Sequence, residues 1–411
     1  MTGAAGRRPD VVVTGLGAVS AAGVGVPENW DRVCAGVSTA AADPGLPDLP
    51  VNITCRVPGF VPADVVGTQE ARRTDRTTQL GLAAAREACA DAGFDPLDWN
   101  GARVGIVMGT SIGAAHSYEA EHLRYVEEGH EWVSPLFGVT APMNLLAGYL
   151  AAALHAYGPN MVVNTACAAG PAAIGTARQL LQAGLCDVVL AGGAEAPLTG
   201  LVISGLVQMG AMSRRTDDPA GACRPFDAGR DGMVPAEGAG VLVLERAEDA
   251  RARGARVRAG VAGYGASADG YHMTAPDPEG VGAERAIRMA LADAGLTGAD
   301  IGHVNAHGSS TPLNDLTESQ VIDRIYGSPA VTSTKGVVGH ALGAAGALES
   351  VYTVLSLENG LVPPTANLVE QDSAITVDVV SGKPRELALQ AAMTHSFGFG
   401  GQNAVVAFTR A

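Results

Sequence analysis

The sequence predicts an α/β fold built from two related halves, and three observations carry that prediction. Short apolar runs of strand length alternate with stretches of helical spacing along all 411 residues. The same strand–helix grammar starts again in the second part of the chain. Two strand–turn–helix junctions also look alike, at 164–170 (NTACAAG) and 332–346 (TSTKGVVGHALGAAG). Such alternation implies buried sheets covered by helices. No short-period repeat is present.

In order, residues 10–13 read as a strand followed by a glycine turn (TGLGAVSAAG), and 69–93 as one helical stretch ending at Gly93. A strand at 103–108 is closed by Gly109. An apolar helix is predicted over 142–155, a strand over 161–163, and a helix over 168–182 with Gly184 as its stop. Strands at 187–191 and 240–244 complete the first part. The second part offers a strand at 257–264, a helix at 283–294 stopped by Gly295, and a strand at 301–305 that delivers His307. Residues 330–333 lead through a glycine-rich turn to a helix near 341–357, and 393–401 lead to a last strand at 404–408.

Composition narrows the function. The net charge of −15 argues against nucleic acid as a partner, because phosphate binding needs a basic surface. An acidic partner docking on a local basic patch remains compatible with it. Only two of the 27 Lys and Arg residues are lysine, Lys335 and Lys383, so a retained lysine draws notice. The six cysteines are dispersed without a CxxC pair, as expected of a reduced, cytosolic protein with neither a disulfide framework nor a structural zinc site. The N-terminal MTGAAGRRPD has no apolar segment of signal-peptide length. Residues 132–177 lack Asp, Glu, Lys and Arg, but prolines, glycines and asparagines interrupt them. A membrane span needs about 20 consecutive apolar residues. The stretch is therefore read as buried core or subunit interface.

Cys167 sits between a strand and a helix start, where unpaired N–H groups stabilise a thiolate. Its neighbours Ala166, Ala168 and Ala169 leave room for a substrate. A free cysteine is otherwise most often plain core. His307 (305–315, NAHGSSTPLND) and His340 (335–340, KGVVGH) each stand at a strand–loop end among glycines, and Glu349 is placed to pair with Lys335. The glycines of 396–403 (SFGFGGQN) permit a loop whose N–H groups line an oxyanion hole, or simply a tight turn. Two other motifs compete. Gly15-Leu-Gly17-Ala-Val-Ser20 nearly matches a dinucleotide fingerprint, but serine replaces its third glycine and no acidic residue follows at the expected offset. Gly109-Thr-Ser111-Ile-Gly113 matches a nucleophile elbow literally, which makes a serine hydrolase using Ser111 the rival reading. That rival leaves Cys167, 335–340 and 396–403 unexplained.

Together these segments resemble the elongating β-ketoacyl-(acyl carrier protein) synthases of the thiolase-like superfamily. The resemblance runs from VVVTGLGAVS to SFGFGGQNAVVAF and includes GGAE at 192–195, RPFDAGRDG at 224–232, EGAG at 237–240, YHMT at 271–274 and GAAGALE at 343–349. It implies a thiolase-like five-layered α-β-α-β-α fold with two pseudo-twofold-related halves. The expected units are 1–255, with the cysteine nucleophile, and 256–411, with both histidines. It implies an acyltransferase that condenses malonyl-carrier protein, with decarboxylation, onto an acyl chain held on Cys167. The catalytic set is then Cys167, His307 and His340, supported by Lys335 and Glu349. The N–H groups of Cys167 and Phe399 form the oxyanion hole, and Phe399 gates malonyl entry. Ile112 lines the acyl channel. Thr274, Ser309, Thr311 and Phe397 bind substrate, with Ser309 and Thr311 on the pantetheine arm. Arg72, Arg73 and Arg76 on one helical stretch, with Arg214 and Arg215, would dock an acidic acyl carrier protein. No metal or organic cofactor is expected, since the carrier delivers the phosphopantetheine. The resemblance implies a cytoplasmic dimer, either a homodimer or a heterodimer active only with a chain-length partner, in fatty acid or polyketide biosynthesis. Ser309, Ala236 and Gln402 depart from the family pattern. Asn314–Asp315 and Ala236–Glu237 lean toward polyketide enzymes, whereas the GAAG run leans toward fatty acid enzymes.

Overall fold

The computed structural model describes residues 9–411, and the expectation attached to the first eight residues, MTGAAGRR, lies outside it. In the first half, five strands run in the order β1-β5-β4-β2-β3. They are β1 (Val11–Ser20), β2 (Val104–Gly109), β3 (Asn160–Val163), β4 (Val188–Glu195) and β5 (Gly238–Arg246). The second half repeats this with β6 (Ala259–Ala268), β7 (His303–Asn305), β8 (Ala330–Thr332), β9 (Ala391–Gly398) and β10 (Gln402–Arg410), in the order β6-β10-β9-β7-β8. In both halves the first, fifth and fourth strands pair antiparallel, and the fourth, second and third pair parallel. Order and direction therefore coincide, which is the mark of two pseudo-twofold-related halves. The halves meet where Val12 and Val13 pair with Gly260 and Ala259.

Helices complete five layers. α1 (Arg76–Asp91) and α2 (Leu145–Ala153) cover the outer face of the first group of strands. α4 (Val281–Ala294), with α5 (Pro312–Ile325) against it, covers the outer face of the second. Between the groups lie α3 (Ala169–Gln182) and α6 (Ala345–Asn359). Residues 345–357 of α6 are all buried. The two central helices touch nearly backbone to backbone. A Cβ on Gly170 would stand 2.6 Å from the Ala347 nitrogen, and one on Gly346 would stand 2.4 Å from Cδ of Pro171. The glycine- and alanine-rich composition is what makes this layer thin.

The structure corrects several local expectations. The predicted glycine turn after residue 13 is instead the continuation of β1. Cβ atoms on Gly15 and Gly17 would lie 2.2 Å and 1.9 Å from the carbonyl oxygens of Ala88 and Ala84, so these glycines exist to let α1 lie on β1. No strand-to-helix phosphate loop forms there. The single helical stretch expected over 69–93 is two helices, Thr68–Arg73 and α1. They break at Asp75, whose carboxylate caps α1 by accepting the Thr77 N–H at 2.9 Å. The apolar helix of 142–155 shortens to α2, and the helix near 341–357 starts at Ala345 after a single 3₁₀ turn, Leu342–Ala344. The uncharged stretch divides. α3 and much of α2 belong to the core, while Trp132, Leu136, Val139 and Met143 are exposed, beside the similarly exposed Tyr118 and Leu123. Among the described residues no helix is long and apolar enough to cross a membrane.

The close approach makes a test. Gly17→Val must push α1 off β1, at a cost of about 3 kcal/mol. Gly138, with nothing near its Cβ position, is the control. Thermal denaturation is expected to show a clear fall in Tm for Gly17→Val and none for Gly138→Ala; equal midpoints would refute this account of β1.

Candidate active site

Cys167 stands in the five-residue connection, 164–168, between β3 and α3. Ala166 takes φ 49°, a left-handed value that a small side chain tolerates best. Thr165 and Cys167 are joined by a bridge, and the Ala168 and Ala169 N–H groups donate to the carbonyls of Thr165 and Ala166. The chain thus presents the sulfur at the start of the central helix. The loop after β9 comes close to it, for a Cβ on Gly398 would stand 3.0 Å from the Cys167 nitrogen. That approach aims the Phe399 N–H, with the N–H of Cys167 itself, at the sulfur.

The histidines arrive from the other half. His307 leaves β7 and enters a loop with left-handed Gly308 (φ 36°) and Ser310 (φ 68°). His340 follows the short helix Lys335–Val338 and left-handed Gly339. Its N–H donates to the Val234 carbonyl at 2.8 Å, and its carbonyl accepts from the Ala236 N–H at 2.9 Å. The imidazoles meet edge to face with centroids 5.2 Å apart. One ligand atom each from Cys167, His307 and His340 lie within 4.8 Å of one another. Beneath them Lys335 is fully buried and paired with Glu349. Its ammonium also donates to the His307 carbonyl at 2.6 Å and stands 3.5 Å from His307 Nδ1. An ammonium only donates, so this contact makes Nδ1 the acceptor and leaves the proton on Nε2.

Burial sets the electrostatics. It holds both imidazoles well below their usual range, with help from the Lys335 charge, so both are neutral. It pushes the Glu349 carboxyl up to about 7, against the pull of Lys335. It also pushes the Cys167 thiol up to about 11, although Lys335 and the two N–H groups act against it. The helix start was expected to favour a thiolate; in the free protein desolvation wins and the sulfur carries its proton. A thiol between two neutral imidazoles, with two N–H donors converging on it, is equipped for covalent acyl transfer through an oxyanion.

A cavity of about 300 Å³ leads to Cys167, and Thr274, Ser309, Thr311, Phe397 and Phe399 all line it. The Ser309 and Thr311 hydroxyls lie 2.9 Å apart on its wall. Ile112 is absent from that wall. It is partly buried and packs against the apolar cluster that contains Cys167, Leu198 and Leu342, and it faces a separate recess of about 630 Å³ with Leu123, Leu201 and Val202. Arg72 and Arg73 are exposed on their short helix, and Arg214 is exposed three residues beyond Ala211 on the cavity wall. Arg215 is half-buried and donates to the Gly229 carbonyl at 3.1 Å. Arg76 is misjudged from sequence: it lies on α1 and forms a bidentate pair with buried Glu237, at 2.6 and 2.7 Å.

The elbow at 109–113 is likewise no nucleophile site. The Ser111, Ile112 and Gly113 N–H groups all donate to the buried Glu195 carboxylate, which also accepts from Gly343 across the halves. The turn wraps an anion, and the histidines converge on Cys167. Sequence reasoning missed Glu318, His395 and Tyr326, which lie buried behind His307, and gave Glu195 no role. The available signal was Glu318 one turn beyond Asp315 on a helix with little amphipathic contrast, where acidic residues turn inward.

Comparison with known proteins agrees with this geometry. Residues 8–250 match the family model "Beta-ketoacyl synthase, N-terminal domain", and residues 258–369 match "Beta-ketoacyl synthase, C-terminal domain". The 3-oxoacyl-[acyl-carrier-protein] synthase 2 of Staphylococcus aureus (strain N315) is 40% identical over 97% of this chain and 98% of its own. Two solved structures each cover 98% of this chain and 100% of their own. The ishigamide ketosynthase/chain length factor superposes with a TM-score of 0.92 at 35% identity. A type II polyketide synthase acyl-carrier protein complex with its ketosynthase, bound to the hexaketide, gives 0.91 at 32%.

The state of the sulfur is measurable. Iodoacetamide labelling of Cys167, followed by peptide mass spectrometry, is expected to accelerate about tenfold per pH unit from 7 to 10, since only the thiolate attacks. A rate plateau below pH 8 would show a resting thiolate instead.

Proposed function

Since the chain belongs to the β-ketoacyl synthase family, we propose that it extends an acyl chain by decarboxylative condensation, with Cys167 as the acyl carrier. The convergence of Cys167, His307 and His340 within 4.8 Å carries this reading. In the first half-reaction the Cys167 sulfur attacks the thioester carbonyl of an acyl-carrier protein. The oxyanion is met by the Cys167 and Phe399 N–H groups, a donor pair worth about 3–4 kcal/mol per donor. The carrier's pantetheine thiol leaves with the proton that Cys167 gives up by way of the neighbouring imidazoles, which burial keeps neutral and able to accept it. In the second, malonyl-carrier protein enters past Phe399, with its pantetheine arm against Ser309, Thr311 and Thr274. Loss of carbon dioxide leaves an enolate whose oxygen accepts from Nε2–H of His307 and from His340. The enolate carbon attacks the Cys167 thioester, forming the carbon–carbon bond and freeing the sulfur. On this reading decarboxylation drives the reaction and no metal or organic cofactor takes part.

The acyl chain runs past Ile112 into the outer recess, which opens on the exposed apolar face of Tyr118, Leu123 and Leu201. A second subunit would cover that face, as a copy of this chain or as a chain-length partner of the kind named in the ishigamide structure. Such a protein works in the cytoplasm, beside its carrier. The same chemistry serves fatty acid and polyketide synthesis. Intact-protein mass spectrometry separates them: a homodimer loading saturated chains of varied length indicates the first, and activity only with a separate cysteine-free subunit the second.

Cys167→Ala is expected to abolish acyl loading, whereas Ser111→Ala retains it. His307→Ala and His340→Ala are each expected to cut malonyl decarboxylation about 10²–10³-fold while acyl transfer to Cys167 persists. Unchanged carbon dioxide release in both would refute the enolate role.

Carrier docking on exposed arginines gives a separate expectation. Arg72→Glu with Arg214→Glu should weaken carrier binding about tenfold, and wild-type affinity should fall with salt. Arg76→Ala should instead cost stability, about 3 kcal/mol, by leaving Glu237 buried and unpaired. Calorimetric titration at low and high salt, with denaturation of each variant, tells the two apart; salt-independent binding would remove the docking role.

A further inference from the structure

Behind the two histidines runs a buried polar chain that the chemistry above does not use. Glu318, on α5, is 1% exposed. Its Oε1 accepts the His307 backbone N–H at 2.8 Å, and its Oε2 accepts the Gly308 backbone N–H at 2.7 Å. The same Oε1 stands 3.2 Å from Nδ1 of His395, on β9. The other ring nitrogen of His395 lies 2.8 Å from the Tyr326 hydroxyl, which also reaches Met393 Sδ at 3.1 Å. A carboxylate only accepts, so His395 meets Glu318 through an Nδ1–H.

A buried histidine satisfied at both nitrogens is usually plain core. Two facts set His395 apart. It shares one oxygen atom with the N–H of His307, and it lies four residues before Phe399 on the strand that leads to the Phe399 N–H. A second path runs through rings, with His395 5.6 Å from Phe397 and Phe397 6.1 Å from His307. The chain therefore ties the loop after β7 to the loop after β9. The first of these has two left-handed residues, and from its other side the Lys335 ammonium and the Ser333 hydroxyl hold the His307 and Gly308 carbonyls.

We propose that Glu318 and His395 are positioning residues, which fix the His307 backbone, and through it the ring, relative to the strand that leads to Phe399, so that imidazole and backbone donors converge on one substrate position. The proposal rests on His307 as an enolate donor. A displacement of about 1 Å at such a donor costs on the order of 10²-fold in rate, so a buried clamp is a measurable part of the reaction.

The test compares His395→Leu, which removes the donor, with His395→Asn, which keeps a side-chain N–H in the same region, and with Tyr326→Phe. Cys167 acylation and malonyl-carrier decarboxylation are timed separately. For His395→Leu, decarboxylation kcat is expected to fall about 10–100-fold, with KM within about twofold and acylation within about threefold of wild type. His395→Asn is expected to recover most of that loss, and Tyr326→Phe to lose about 3–10-fold. Decarboxylation unchanged, or falling in step with acylation, or Asn no better than Leu, overturns the proposal. If His395→Leu does not fold, the Asn and Phe variants decide by the same split. Nitrogen-15 NMR of the His307 ring gives a readout free of turnover. It is expected to shift in His395→Leu and much less in His395→Asn, and an unmoved His307 signal in His395→Leu counts against the clamp even if wild-type protein proved inactive in condensation.

Discussion

Lys335 and Glu349 are the contact on which the rest of the site depends. The ion pair is wholly buried and joins the short helix after β8 to central helix α6, while the same ammonium holds the His307 carbonyl and faces its Nδ1. An isolated lysine in such a place would lose its charge or unfold its surroundings. Paired, it fixes which nitrogen of His307 carries a proton and helps keep both imidazoles neutral. Breaking one partner of a buried pair costs about 3–5 kcal/mol. In a chain that uses arginine almost everywhere, a lysine persists where a compact, single-point ammonium fits and a planar guanidinium does not.

The second constraint is thinness. A sulfur from one half must meet two histidines from the other, so the two central helices have to cross almost in contact. Gly170, Gly346 and the surrounding alanines provide this, as Gly15 and Gly17 do for α1 on β1. Glu195 adds a bolt across the halves, taking N–H groups from 111–113 and from Gly343. The cost is desolvation: the same packing that brings the groups together strips water from them, which is why the thiol rests protonated and the imidazoles rest neutral. Substrate then arrives at a site whose donors are already aimed, so little reorganisation accompanies charge development.

The departures from the family pattern find room without disturbing this frame. Ala236 is buried with its N–H on the His340 carbonyl, and its Cβ lies where a Cβ on Gly339 would be 3.0 Å away, so a glycine at 339 accommodates it. Ser309 keeps a hydroxyl against Thr311. Gln402 begins β10, half-buried, away from the sulfur's immediate contacts.

Much of this was legible in the linear chain, and the physical reason divides it from what was not. Strand and helix alternation, the repeated junctions and the motifs around Cys167, His307, His340 and 396–403 are local patterns, because each reflects backbone geometry that a few neighbouring residues impose. They determined the fold class and picked out the cysteine and the two histidines that the fold brings within 4.8 Å of one another. Other features are long-range and leave no local trace. Glycines in 15–17 read as a turn because a turn and a close helix contact demand the same missing Cβ. The Ser111 elbow offered a rival nucleophile because its glycines are shared by any tight anion-wrapping loop. Arg76 read as a docking charge until Glu237, 161 residues away in sequence, took it inward. His395 and Tyr326 gave no signal, and Glu318 only a faint one, since their meaning lies in which buried atoms they share. The protonation of Cys167 was decided only by the tertiary structure, because desolvation depends on everything packed around the sulfur and not on the helix start beside it.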